Sequence, residues 1–322
     1  MITFDKLKIV VAEKYITNID EDIFTTIIKN GQIVEYRYEQ QYPYLLYIEK
    51  DLIEQELVIE FTSKILHEDY PLLINKDTIY KCLENINSLG ICYLDIPNII
   101  TAAHVVKADV TKDICCDKYE QLIGSLKTSI TNYNKYLSRV VNGTFVIEKN
   151  VVSRGRKLRL IIYNKDSEMQ LKANQEFISK LPNYKEMTEY FKGKVRFELN
   201  LNSMEQIRKQ LNIKSTMLYD VLHTNINPIV NFMDKVFEDE HSPADMKLRD
   251  LERLALLEKV DMDMHKLEMI VRQHTSPKSH ISQLMQPYRN ILRTIEHQGI
   301  NPLQTIRNLL LFEIFLTFIV SL

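Results

Sequence analysis

Three stretches of this chain alternate polar and apolar residues with a period of two, and that alternation constrains the fold more than any other feature. Successive side chains on a β-strand point to opposite faces. In residues 157–165, Lys157, Arg159, Tyr163 and Lys165 fall on one face, and Leu158, Leu160 and Ile162 on the other. In residues 105–113, Val105, Lys107, Asp109 and Thr111 oppose Val106, Ala108, Val110 and the preceding His104. In residues 194–203, Arg196, Glu198, Asn200 and Asn202 oppose Val195, Phe197, Leu199 and Leu201. Half-polar strands of this kind need a core on one face only. Set in one sheet with helices on the apolar face, they carry Asp109, Tyr163 and Glu198 together on the polar face. Next-but-one neighbours on a strand stand about 6.5 Å apart, so the Lys165 ammonium is within reach of the Tyr163 hydroxyl. His104, on the apolar side, reads as a hydrogen-bonded core histidine.

The remaining segments supply the partners of those strands. Residues 1–62 are strand-rich, with β-branched and aromatic runs at 9–12, 33–38 and 57–61. Residues 77–89 have helical spacing and end at Gly90, and 117–139 carry a second helical stripe. Residues 144–148 and 157–165 read as a hairpin joined by a loop containing Arg154 and Arg156; 167–181 read as a helix. Ser203 with Gln206 forms a capping box. This order predicts an α+β domain over 1–212: an antiparallel sheet with helices packed on one face, of the split-βαβ type, single or duplicated. From 213 to 322 the periodicity is helical, with Ser242-Pro243 as a helix start and Lys278, His280, Arg289 and Arg293 forming a basic edge. A DNA- or partner-binding helix-turn-helix and a plain bundle both satisfy that pattern.

Composition excludes several classes. A net charge of -2 argues against coating nucleic acid in bulk and leaves room for a local basic face. The four cysteines (Cys82, Cys92, Cys115, Cys116) have no C-x-x-C spacing and read as reduced thiols of a cytoplasmic protein. Asp5, Lys6 and Lys8 interrupt the first apolar run, so it is not a secretory signal. The apolar tail 308–322 is shorter than the roughly 20 residues of a span and contains Glu313; a packed terminal helix without stable membrane insertion is expected. No phosphate-binding G-x-x-x-x-G-K-[ST] loop is present, hence no ATPase of that type.

The polar face suggests phosphoryl chemistry. A phenol of ordinary pKa about 10 becomes a nucleophile only when a base, cation or metal assists it. Asp109 and Glu198, with Glu168 as a third, are candidate ligands for Mg²⁺ or Mn²⁺, which oxygen donors favour over zinc. The bland alternative is a solvated sheet face: with 17 tyrosines in the chain, any single one is more often packing than chemistry. Arg196 and Glu198 equally suit a structural ion pair.

The run Tyr163-Asn164-Lys165-Asp166-Ser167-Glu168, followed downstream by Val195-Arg196-Phe197-Glu198-Leu199, resembles the rolling-circle replication initiators of filamentous phages (the gene II protein family) and related plasmids. Lys107-Ala108-Asp109-Val110-Thr111 is similar to that family's R-[IL]-D-[AV]-T strand, and the likeness runs from about residue 57 to 211. The resemblance implies an endonuclease that nicks one strand of a double-stranded origin, stays linked to the 5′ phosphate through tyrosine, and leaves a 3′ hydroxyl. Carried over, Tyr163 is the nucleophile and Lys165 assists it; Asp109 and Glu198 bind the metal with support from Glu168. Arg196 steadies Glu198 or the DNA backbone, and Lys107, Arg154, Arg156, Lys157 and Arg159 lie along the DNA. Implied partners are origin DNA and a host helicase and polymerase, with the chain acting as monomer or homodimer in the host cytoplasm. Two departures stand out: Ala108 separates Lys107 from Asp109, and there is no histidine-hydrophobic-histidine pair. A non-catalytic DNA-binding regulator on the same scaffold and a plasmid-transfer relaxase are the rival readings.

Overall fold

A computed structural model gives the fold, and the residues described are 1–130, 135–151, 157–237, 248–260, 263–274, 280–299 and Leu310. The strands are β1 (Phe4–Ala12), β2 (Ile16–Thr17), β3 (Thr25–Lys29), β4 (Gln32–Gln40), β5 (Leu46–Asp51), β6 (Glu56–Thr62), β7 (Tyr93–Leu94), β8 (His104–Cys115), β9 (Tyr136–Val141), β10 (Thr144–Lys149), β11 (Arg159–Asn164) and β12 (Lys194–Leu201). The helices of the same region are α1 (Ile79–Asn87), α2 (Ile96–Ala102), α3 (Tyr119–Ser129), α4 (Lys165–Met169), α5 (Lys172–Ile178), α6 (Tyr184–Phe191), α7 (Met204–Leu211), α8 (Leu218–Leu222) and α9 (Pro228–Val236). Ten strands form one antiparallel sheet in the order β3-β4-β5-β6-β1-β8-β12-β11-β10-β9, while β2 pairs with β7. The fold is therefore α+β, with β8 and β12 near the middle of the sheet.

The predicted apolar face is the core: Leu7, Ile9, Ile59, Phe61, Val110, Leu160, Ile162, Phe197 and Leu199 are all buried. Two register shifts in the β1–β8 ladder, at Phe4/Lys6 and at Lys8/Ile9, disturb the simple alternation. A shift of one residue flips every side chain beyond it to the other face. Val105, expected on the polar face, is consequently buried with the core. His104, expected inside, is exposed, with its Nδ1 3.3 Å from Thr216 Oγ1.

Two expected helices are also revised. The second helix stops at Ser129, and Tyr136–Val141 is a strand instead. It turns into β10 through Asn142 and Gly143, both left-handed with φ of 50° and 76°, the backbone that a two-residue hairpin demands and that Asn-Gly supplies. The expected helix over 167–181 is broken into α4 and α5 by extended backbone at Leu171 (φ -62°, ψ 140°). Asn174 Nδ2 and Gln175 Nε2 bond the carbonyls of Glu168 and Met169 at the break.

Helices meet both faces of the sheet rather than one. α7, α8 and α9 pack against β8 and β12. On the polar side, Tyr70, Leu73, Met169, Phe177, Met187 and Phe191 form a separate apolar cluster, built from the 3-10 turns of Ser63–Leu72 and from α4–α6. It sits over the Arg196 end of β12, whose guanidinium lies 5.6 Å from the Tyr70 ring and 5.9 Å from the Phe191 ring.

The first compact unit contains Met1–Val236, so the boundary expected after 212 lies within it. The second, Phe237–Asn308, contains α10 (Leu248–Lys259), α11 (Met264–Gln273) and α12 (Ile281–Gly299). Leu257, Val260, Leu267, Met285 and Ile291 form its core, and Asp263 caps α11 by accepting from the His265 and Lys266 amides. Among the described residues, no helix is long and apolar enough to cross a membrane. Ser242-Pro243, Lys278 and, apart from Leu310, the tail 308–322 lie outside the described residues.

Candidate active site

Strand register assembles the site. Across β12 and its neighbours, Arg196 lies opposite Tyr163 on β11 and Asp113 on β8, Glu198 opposite Thr111, and Asn200 opposite Asp109. Tyr163, Arg196, Glu198 and Asp109 thus share the polar face, as the alternation predicts. The Tyr163 hydroxyl donates to Glu198 Oε1 at 2.6 Å. Asn200 Nδ2 donates to Asp109 Oδ1 at 2.7 Å.

Behind this row is a buried ionic cluster. Arg196 is 0% exposed. Its Nε and Nη2 donate to the two Asp113 oxygens at 2.6 and 2.8 Å, and its Nη1 to Asp5 Oδ1 at 2.9 Å and to the Tyr70 hydroxyl at 3.3 Å. Such a fork-on-carboxylate pair is the strong form of ion pair. Asp5 stands at the first irregularity of the β1–β8 ladder and also accepts from Ser63 Oγ at 2.5 Å. Lys165, at the start of α4, is 1% exposed. Its ammonium bonds Glu168 Oε2 at 2.5 Å and lies 5.4 Å from the Tyr70 ring centroid and 5.8 Å from that of Tyr163. Asn174 holds the other Glu168 oxygen at 2.6 Å and itself accepts from Lys64 at 2.6 Å.

This environment sets the protonation states. Burial, reinforced by the charge of Asp5, raises the Glu198 carboxyl to about 7, against the pull of Arg196 and the bond from Tyr163. Burial raises Asp109 to about 6, although the bond from Asn200 acts the other way. Burial and the Glu198 charge push the Tyr163 phenol well above its ordinary value, with Arg196 opposing. Burial acts to raise Asp5 too, but Arg196, Lys165, Ser63 and Lys64 together hold it below the ordinary carboxylate value.

Other expected roles fare differently. Arg196 is enclosed by protein and not accessible to a DNA backbone. Both Glu168 oxygens are engaged by Lys165 and Asn174 rather than turned to Asp109 and Glu198. Lys157 and Arg159, with Arg139, bond the buried Glu148 at the β9–β11 end of the sheet. Lys107 is exposed on β8 opposite Lys8; Arg154 and Arg156 lie outside the described residues. The alternation rule, carried two residues beyond Thr111, also marks Asp113. Asp5, Ser63, Lys64 and Tyr70 carry no sequence signal, because only packing brings them to β12.

Among the described residues, no group of three or more histidine, cysteine, aspartate or glutamate side chains is gathered to hold a metal ion. Asp109 and Glu198 do lie on adjacent strands, and the Asp109 charge adds to the upward shift of Glu198. Two carboxylates, with water and substrate phosphate as remaining ligands, suit Mg²⁺.

No curated protein and no solved structure matches the chain. Residues 76–220 match the family model for the N-terminal part of a phage replication-associated protein. That span contains Asp109, Tyr163, Lys165, Arg196 and Glu198, whereas Asp5, Ser63, Lys64 and Tyr70 precede it. This match to a filamentous-phage gene II-type replication protein covers under half of the chain and supports the role of a rolling-circle replication initiator.

Proposed function

We propose that this initiator nicks one strand of its origin by transesterification on Tyr163. The observation that carries the reading is the 2.6 Å bond from the Tyr163 hydroxyl to Glu198, a carboxylate that titrates near neutrality. A base poised at the working pH, within hydrogen-bond reach of the proton it removes, is what general base catalysis requires. The phenol alone is protonated at neutral pH, so the nucleophile is dormant until Glu198 takes its proton. The phenolate oxygen then bonds to phosphorus, the P–O3′ bond breaks, and the released 3′ oxygen acquires a proton from solvent. The product is a 5′-phosphotyrosyl link that conserves the phosphodiester's energy, plus a free 3′ hydroxyl that a host polymerase extends after a host helicase opens the duplex.

Arg196 sits opposite Tyr163 and offsets charge that develops on the phenol; Asp113 and Asp5 hold it there. Lys165 and Glu168 fix the β11–α4 junction from which Tyr163 projects. Asp109 and the second oxygen of Glu198 would hold Mg²⁺ or Mn²⁺, which supplies Lewis-acid polarisation of the phosphate when bound.

The test is incubation with single-stranded oligonucleotides from the origin of its own replicon plus Mn²⁺, followed by mass mapping of any adduct. A single modified residue at Tyr163 is the expected result. Adduct on another tyrosine, or strand cleavage without any adduct, removes Tyr163 from the mechanism.

A further inference from the structure

A cavity of about 310 Å³ opens beside Tyr163. Its walls come from three places: Tyr163 and Asn164 at the β11–α4 junction, Tyr119 and Glu120 at the start of α3, and Asn142 and Thr144 of the β9–β10 turn. These walls are tied together. The Tyr119 hydroxyl donates to the Gly143 carbonyl at 2.6 Å and lies 3.0 Å from the Ile162 carbonyl, joining α3, the hairpin turn and β11. Asn164 Oδ1 accepts from the Ser167 amide at 3.0 Å, fixing the junction.

The volume is at the lower end of the about 300–1,000 Å³ of small-ligand sites, which suits one planar heterocycle rather than several nucleotides. Charge decides what can enter. The lining contains no lysine or arginine but two carboxylates, Glu120 and Glu168, together with amides, hydroxyls and the Tyr119 and Tyr163 side chains. The Glu168 charge is met by Lys165, but no cation faces the cavity to hold a phosphate and the exposed Glu120 charge opposes one. An uncharged base edge, which offers donors and acceptors to amides and carboxylates and a π-face to tyrosine, meets no such opposition.

We propose that this cavity receives one nucleobase, unstacked from the strand, directly beside the phosphate that Tyr163 attacks. The proposal rests on the nicking reading above and adds to it the position from which one base of the origin is read. Glu120, exposed at the rim and acceptor-only when ionised, favours a base that presents an amino group.

The experiment uses the origin oligonucleotide that the full chain nicks, with an abasic site placed in turn on each side of the scissile phosphate. At one of the two positions, loss of the base is expected to slow adduct formation about tenfold, the size of one lost base–aromatic stack. Thr144→Trp, which fills the cavity, should slow nicking of the intact strand to a similar degree and be indifferent to the abasic change. A second measurement needs no nicking: Tyr163→Phe is mixed with the same strand carrying 2-aminopurine at that position, and fluorescence should rise as the base unstacks. Tyr163 adducts insensitive to base removal on both sides overturn the cavity proposal and leave the nicking reading standing. No adduct with any intact strand overturns the nicking reading. A flat 2-aminopurine signal overturns the cavity proposal whatever Thr144→Trp does.

Discussion

The two wings of the sheet use the same side chains to different ends. On β5, the Tyr47 hydroxyl donates to Glu49, with Lys8 5.3 Å from the ring centroid and Arg37 across the β4–β5 ladder. On β11 and β12, Tyr163 donates to Glu198, with Arg196 across the ladder. Burial, then the bonded carboxylate, raises the Tyr47 phenol as well. What differs is the cation and the origin of the acid. Arg37 leaves 41% of its side chain in water, whereas Arg196 leaves none. Tyr47 and Glu49 are two apart on one strand, while Tyr163 and Glu198 come from separate strands and meet through register. Water screens the first arrangement and lets it rearrange. The second is held by a packed cluster, so its protonation states are set by protein. A tyrosine bonded to a glutamate is therefore not distinctive by itself; the buried charge around Tyr163 is what sets it apart.

The sharpest way to break this comparison is to remove both hydroxyls. Tyr163→Phe should lower nicking of supercoiled origin DNA by about 10³-fold or more, while Tyr47→Phe stays within about twofold. Equal losses in a plasmid relaxation assay would erase the distinction. Next comes the acid. Glu198→Gln should cost about 10²–10⁴-fold, the range of a lost general base, and Glu49→Gln little. Wild-type nicking should rise with pH as Glu198 loses its proton, from a metal-free value of about 7 that moves lower as Mg²⁺ concentration increases, and the Glu198→Gln profile should lack that rise.

Stability separates the two cations. Arg196→Leu strands Asp113 and Asp5 in the interior and should cost about 3–5 kcal/mol in urea unfolding. Arg37→Leu removes a pair with Glu35 whose cation stays partly in water, and should cost about 1 kcal/mol. A similar cost for both would mean that burial of Arg196 does not distinguish the wings.

The smallest effect is on pH-dependent stability. Asp109 and Glu198 hold their protons more tightly in the folded protein than in the unfolded chain, with pKa values raised to about 6 and about 7. Their contribution is thus present at low pH and is lost as pH climbs through those values, the unfolded chain releasing its protons first. Thermal unfolding across that window should record the decline. Asp109→Asn should reduce it, and millimolar Mg²⁺ should offset it in the wild type alone.

Much of the site could be read from residue order because it rides on period-two alternation. Tyr163, Glu198 and Asp109 fall on one face for that reason, and the β11–β12–β8 ladders preserve it. Alternation failed where a ladder slips: Val105 and His104 exchanged faces at the β1–β8 irregularity. It also said nothing of depth. Arg196 and Lys165 have the sequence signature of surface cations, yet the Tyr70–Phe191 cluster closes over them. The helix expected over 117–139 failed because apolar spacing at its far end competes with the Asn-Gly turn signal, and the hairpin prevails in the folded sheet.

The amino-acid sequence by itself determined which side chains share a face of each strand, since that depends only on the geometry of consecutive residues. It also carried the match to the phage replication family, a pattern written in order and spacing. Only the tertiary structure decided which strands are neighbours and which cations are buried. It alone brought Asp5, Ser63 and Tyr70, from the segment before that match, to complete the cluster behind Tyr163. Burial and Coulomb interaction depend on distance in space, and so the raised pKa of Glu198 follows from packing between remote segments.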